Sequence, residues 1–308
     1  VGTGVFIAWR GGSTVRARFT SDGKLVLQSA VTDMGPGTAT AMTKLASDKF
    51  GLPADDIKFE MGDSNLPPGI FQGGSGTTSS LGTTVNNAGV TFRQKLTDIV
   101  KQTSIFHTET IHEVDLKDLK FENGYMMLAT EPDRKISYTE VLKYGNLPRL
   151  EFLEKSEGNS DEKYSSYSYS AHFVKVLVHP ATGVITVDKV VSAIDAGTIV
   201  NEPTARSQVI GGVVGGIGMA LMEGGVIDNR YGKLVNNNFA EYHVPVNKDV
   251  PYIEVLFVNK PDPYLNPIGS KGIGEVTMIG FPAAVANAVY HATGKRIREL
   301  PVTPDKLI

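Results

Sequence analysis

Apolar and polar residues alternate with a period of two over residues 15–20 and again over 24–30, and Ser21-Asp22-Gly23 between them supplies turn chemistry. The pattern predicts a β-hairpin. The period then lengthens: Ala39, Met42, Leu45, Ala46 and Phe50 recur at helical spacing over 38–50, and Gly51 follows as a C-terminal stop. A short strand over 57–61, a glycine-rich loop over 69–77 and a second helix from about 82 to 104 complete this half.

The charged run EFLEKSEGNSDEKYSS at 151–166 has no periodicity, which predicts a boundary or a long surface loop. The pattern then restarts. Residues 171–179 and 184–193 predict a hairpin across Pro180-Ala-Thr-Gly183, Pro203 opens a helix to about residue 222, 253–258 predicts a strand, and 280–293 a helix. Both halves therefore read strand, strand, helix, strand, helix, with a glycine-rich loop before the last helix. The expected fold is α+β: two related two-layer α/β units, 1–150 and 167–308, duplicated in structure and joined by a loop over 151–166.

Composition narrows the function more than the fold. At 41 % hydrophobic and 20 % charged, 308 residues can bury a large core, which excludes a mainly disordered chain. A net charge of -3 gives no electrostatic footprint for nucleic acid or an anionic membrane, so small molecules or other proteins are the expected partners. With Cys 0, the chain has no disulfide, thiolate nucleophile, zinc–cysteine site or cysteine-bound iron–sulfur cluster. No run of 18 apolar residues predicts a membrane span, and the start lacks a basic n-region and an initiator Met. The chain is expected to be cut from something longer, which leaves its compartment, cytoplasmic or periplasmic, open.

Three glycine-rich segments precede predicted helices: Asp33-Met34-Gly35-Pro36-Gly37 before Thr38, Gly73-Gly74-Ser75-Gly76-Thr77, and Gly269-Ser-Lys-Gly-Ile-Gly274-Glu275. Such loops serve either as plain turns or as places where backbone N–H groups approach an anion at a helix start. Neither a Rossmann nor a Walker signature fits them. Glu275 closes the third loop before an apolar helix, with Lys271 the nearest other charge. It reads equally as a general base or as a first-turn acid favoured by the helix dipole. Asp33, Asp63 and Asp195 read as loop or cap residues. His107, His112, His172, His179, His243 and His291 contain no paired ligand spacing, so protein-ligated zinc is not expected. Gly211, Gly212, Gly215, Gly216 and Gly218 in one helix cost about 1 kcal/mol each if exposed, so a neighbouring backbone or a cofactor must press on that face. Ser207 and Thr204 have no base in view for a hydrolase triad.

Taken together, TDMGPGTATAMTKLASDKFGLP (32–53), GDSNLPPG (62–69) leading to GGSGTTSS, HPATG (179–183), TARSQVIGGVVGGIGMALMEG (204–224), PIGSKGIGE (267–275) and the ending AVANAVYHATGKRIRELPVTPDKLI resemble the molybdenum-cofactor domain of the xanthine dehydrogenase and aldehyde oxidoreductase family. The likeness covers essentially the whole chain. It is most like bacterial molybdenum-binding subunits that work beside separate iron–sulfur and FAD subunits.

The resemblance implies molybdopterin with molybdenum, in bacteria often as the cytosine dinucleotide. Met34, Gly35, Pro36, Gly37 and Thr38, with Gly73, Gly74, Ser75, Gly76 and Thr77, would hold pterin and phosphate groups. Gln208, Gly212 and Gly274 would border the cofactor. Glu275 matches the family's catalytic glutamate, which would take a proton from the water-derived hydroxide attacking an electrophilic carbon of an aldehyde or a purine-like N-heterocycle. Electrons would leave through iron–sulfur and FAD partners. Pro36 stands where many members have Gln, Gly215 where several have a larger side chain, and the preceding half of the domain is not in this sequence. The piece alone is therefore expected to fold without retaining cofactor or activity, and the rival expectation is a non-catalytic cofactor-binding or subunit-assembly module.

Overall fold

The computed structural model describes residues 1–107, 114–158 and 163–308; His112 and residues 159–162 of the charged segment lie outside them. The chain forms two units, the first from Trp9–Ser165 with Asp262–Ser270, the second from Val1–Ala8, Ser166–Pro261 and Lys271–Ile308.

The chain starts in β1 (Gly2–Ile7), a strand of the second unit. The first unit follows with β2 (Ser13–Thr20), β3 (Leu25–Gln28), α1 (Thr38–Phe50), β4 (Ile57–Glu60) and α2 (Thr77–Val100). A small sheet of β5 (Leu119–Glu122), β6 (Tyr125–Leu128) and β7 (Lys135–Ser137), then α3 (Tyr138–Tyr144) and β8 (Arg149–Ser156), complete it. The main sheet has the order β4-β3-β2-β8, with β3 and β4 parallel and the other pairs antiparallel. On β2, Val15, Ala17 and Phe19 are buried while Arg16 and Arg18 alternate with them, as the period of two predicts. Phe19, Phe50, Phe92 and Tyr138 pack edge-on or tilted, with ring centroids 5.1 to 6.0 Å apart where strand and helices meet.

The second unit runs β9 (Tyr167–Val178), β10 (Ile185–Asp195), α4 (Glu202–Leu221), β11 (Ile227–Asp228), β12 (Lys233–Leu234), β13 (Tyr252–Phe257), α5 (Gly274–Ile279) and α6 (Phe281–Thr293). Its main sheet, β13-β10-β9-β1, repeats the wiring of the first: β10 and β13 are parallel, β9 and β10 antiparallel, and the fourth strand adds antiparallel to the first of the repeat. Val187, Val190, Val213, Ile217, Phe281 and Val285 form the core between sheet and helices.

Several sequence expectations shift. Residues 151–156, expected in the connecting loop, belong to the strand β8. Among the described residues the strand pairs with β2 alone, and at a sheet edge its charges face solvent, where Arg149 and Glu151 form an ion pair at 2.9 Å. Residues 1–8 belong with the second unit and 262–270 with the first. The sequence of β1 carries no strand signal because it contains Gly2 and Gly4. A Cβ on Gly2 would lie 2.5 Å from Ala284 N, so these glycines admit the helices against the strand. α2 begins at Thr77 rather than near 82, and its first turn is tied to the segment before β2, Ser79 Oγ donating to Trp9 O and Ser80 Oγ accepting from the Gly11 N–H. The last predicted helix is preceded by a separate short one, α5, at the end of the third glycine loop.

Candidate functional site

In the first unit the structure brings two of the glycine loops together. Gln72 accepts a hydrogen bond from the Thr32 N–H at 2.6 Å and donates its amide to Thr32 O at 2.5 Å. This reciprocal clamp ties the residue before loop one to the residue before loop two. Exposed Met34 and Phe71 flank them.

Loop one is organised from within. The Asp33 carboxylate accepts from the N–H groups of Gly35 at 2.9 Å, Gly37 at 3.1 Å and Thr38 at 2.8 Å, and Pro36 has no N–H to offer. The amides expected to face an anion are therefore turned onto an internal carboxylate, which caps α1. A Cβ on Gly35, at φ +117, would meet nothing within 4 Å, so space is open in front of the turn.

Loop two is organised by Trp9. Its indole N–H donates to Gly74 O at 2.6 Å, and Cβ atoms on Gly74 and Gly76 would lie 3.0 and 2.5 Å from its ring. Gly74 at φ +60 and Ser75 at φ +56 turn the chain left-handed before α2 opens at Thr77. Gly11 N–H bonds Ser80 Oγ at 2.9 Å, and Trp9 O accepts from Ser79 Oγ at 2.8 Å, so residues 9 to 11 lie across the first turn of α2. Between them, Arg10 has a buried Nε with no acceptor among the described residues. A buried charged donor without a partner costs several kcal/mol, and an anionic group against it removes that cost.

In the second unit the part of the third loop from Lys271 onward is pinned to the sheet. Lys271, with a side chain 7 % exposed, reaches Asp195 at 3.1 Å while its N–H bonds Ala196 O at 2.8 Å. Asp195, expected as a cap, thus serves also as a buried cation's partner, which the geometry needs because an unpaired buried ammonium is strongly disfavoured. Ser168 Oγ donates to Gly272 O at 2.6 Å and Ser170 Oγ to Val276 O at 2.6 Å. Glu275 is half-buried in the opening turn of α5, directly after Gly274.

The glycine stripe of α4 packs on this same element. A Cβ on Gly212 would lie 1.8 Å from Thr277 Oγ1, one on Gly216 would lie 2.7 Å from Phe281, and one on Gly215 would lie 3.1 Å from the Met278 sulfur. At these three positions a neighbouring helix, rather than a cofactor, presses on α4. The constant offset of 65 between 212 and 277 and between 216 and 281 means the helices run side by side in one direction.

His172 is a core residue, fully buried and hydrogen-bonded to Ser170 and Ser192, and burial pushes its imidazole down to about 4. Among the described residues no group of three or more His, Cys, Asp or Glu could hold a metal ion, and no helix is long and apolar enough to cross a membrane. Sequence reasoning missed Arg10, Trp9 and Gln72. The one usable signal was a lone Trp beside Arg and two glycines; the Gln72 clamp has none.

A family model for a molybdopterin cofactor-binding domain matches residues 1–251. The chain is 35 % identical over its whole length to the aldehyde oxidoreductase molybdenum-binding subunit PaoC of Escherichia coli K12, spanning 40 % of that protein. It is 31 % identical over 96 % of its length to the nicotine 6-hydroxylase large subunit of Paenarthrobacter nicotinovorans, spanning 36 % of it. The solved structure of quinoline 2-oxidoreductase from Pseudomonas putida 86 superposes with a TM-score of 0.83 at 23 % identity, over 99 % of this chain and 41 % of that one. The chain thus spans about two fifths of the length of the relatives it matches.

Proposed function

We propose, on the premise that this chain belongs to the molybdopterin cofactor-binding domain family of xanthine dehydrogenase and aldehyde oxidoreductase type, that it carries the cofactor-holding loops and the general base of a molybdenum hydroxylase subunit. The observation that carries the reading is the orphaned Arg10 donor beside a left-handed glycine loop of the first unit.

The residues present fit the cofactor. Arg10 has a buried N–H awaiting an anion, and Gly35 faces open space. Gly73, Gly74, Ser75, Gly76 and Thr77 would hold pterin or phosphate groups, with Met34, Gly35, Pro36, Gly37 and Thr38 beside them. Asp33 already engages three amides of loop one, so that loop would contribute shape and the Met34 side chain more than N–H donors. In the second unit, Gln208, Gly212 and Gly274 would border the cofactor near Glu275, Gly212 by letting α4 approach α5. The cofactor, as a cytosine dinucleotide form of molybdenum-molybdopterin, would supply the two-electron redox chemistry when bound.

The remaining work belongs to this chain. Glu275 Oε accepts the proton released as a water-derived oxygen bonds to the substrate carbon. Lys271 and the β9 hydroxyls fix the segment that carries it. The substrate is an aldehyde or an N-heterocycle, both of which present an sp² carbon bearing hydrogen and polarised by an adjacent heteroatom. Electrons pass to iron–sulfur and FAD partner subunits. The internal occupation of loop one by Asp33 favours a second reading, a cofactor-binding or assembly module without catalysis.

Glu275→Gln in the full-length subunit with its partners separates the two. It keeps shape but cannot accept the proton, so turnover falls about 10² to 10⁴-fold at unchanged molybdenum content. Turnover retained at full molybdenum occupancy overturns the base assignment and leaves the module reading.

A further inference from the structure

The inner face of β9 carries Ser168, Ser170 and His172, all buried, at alternate positions where a sheet packed under helices ordinarily presents aliphatic side chains. Their presence follows from a defect in the helices above them. Pro282 has no N–H, so Met278 O loses its usual partner four residues on. The Gly280 N–H bonds Met278 O instead, and Val276 O, which Gly280 would have served, is left without its helical donor. Ser170 Oγ fills that place at 2.6 Å.

Hydrogen-bond direction is then fixed along the whole chain. A carbonyl only accepts, so the Ser170 hydroxyl donates to Val276 O and its oxygen is free to accept. His172 Nε2–H donates to it at 3.1 Å, which leaves Nδ1 as the acceptor of the Ser192 hydroxyl at 2.8 Å. A neutral imidazole in one tautomer satisfies every group, and burial keeps it neutral. Gly4 makes room: a Cβ there would lie 2.6 Å from Ser170 Oγ and 2.9 Å from Val276 O. On the other side of Glu275, Ser168 holds Gly272 O.

We propose that Ser170, oriented by His172 and Ser192, is a positioning residue that sets the pitch of α5 and thereby the placement of the Glu275 carboxylate. The proposal rests on Glu275 acting as the base. A base must be held within about 0.5 Å of its working position, and a six-residue helix broken by Pro282 cannot hold itself there.

The test uses the full-length subunit with cofactor and partners and reads amide exchange and steady-state kinetics together. Ser170→Ala should raise exchange across 274–279 at least about tenfold while α4 and α6 stay protected, and should lower kcat about 10- to 100-fold with KM and molybdenum content unchanged. His172→Leu should do the same in part. His172→Gln, which keeps a donor toward Ser170, should restore most of both. Wild-type exchange in 274–279 for Ser170→Ala overturns the proposal, as does a loss of protection spread evenly through the second unit. Should Ser170→Ala loosen α5 while Glu275→Gln keeps its turnover, the base assignment fails and the positioning of α5 stands.

Discussion

The two units share the order and directions of their sheet strands, though the fourth strand comes last in one and first in the other, and they treat the helix after the glycine loop differently. In the first, α2 leaves loop two and runs unbroken over Thr77–Val100. Its first turn is tied to Trp9 and Gly11 through Ser79 and Ser80, and its middle is locked by Phe92 against Phe19, Phe50 and Tyr138. In the second, the equivalent stretch is cut by Gly280 and Pro282 into α5 and α6, and the cut end is held by side chains from β9. A continuous helix on an aromatic core is a rigid platform for a loop. A severed turn on hydroxyl tethers can be aimed. On the reading proposed above, the first arrangement suits holding a cofactor and the second suits orienting a base.

Substitutions can break this contrast in order of size. Phe92→Ala removes the ring shared by three others, so equilibrium denaturation should show a loss of about 3 to 5 kcal/mol confined to the first unit's transition. The second unit should instead respond to acid. His172 sits near 4 in the fold against an ordinary value of about 6.5, so the unfolded chain takes the proton first. Stability is full above about pH 6.5 and falls by about 3 kcal/mol as pH drops through 4. Denaturant midpoints from pH 8 to 4 should reveal this slope, and His172→Gln should flatten it. Gly212→Ala would drive a Cβ into Thr277 and should cost about 1 to 3 kcal/mol, read as a lower thermal midpoint. Its neighbour sharpens the point: Gly211 faces open space, and Gly211→Ala should raise stability by about 0.5 to 1 kcal/mol. Equal effects at 211 and 212 would mean α4 does not use its glycines to reach α5.

Periodicity made both hairpins and α1 legible, because each has one buried face recurring at a fixed spacing, and Pro203 marked the start of α4. Glycine loops before helices were legible for the same local reason. What was hidden depends on distant partners. β8 is a strand only because β2 lies beside it, and its charged sequence is ordinary for an edge. β1 is a strand whose glycines answer to helices 280 residues away. Glu275 stood out in its loop, yet its tethers did not, since nothing local links Ser170 to Val276. Asp33 read as a loop residue, and its capture of three amides follows from left-handed turns at Gly35 and Gly37 that spacing does not reveal.

The division between holding and orienting is tested most directly by turnover per bound molybdenum in the full-length subunit, compared for Gly74→Val and Glu275→Gln. Gly74→Val strains a residue at φ +60 against Trp9, so molybdenum content should fall while turnover per remaining metal stays near wild type. Glu275→Gln should give the reverse, full metal with turnover per metal down at least about 10²-fold. If Gly74→Val keeps its metal, or Glu275→Gln keeps its turnover per metal, the assignment of the two roles to these two loops is contradicted.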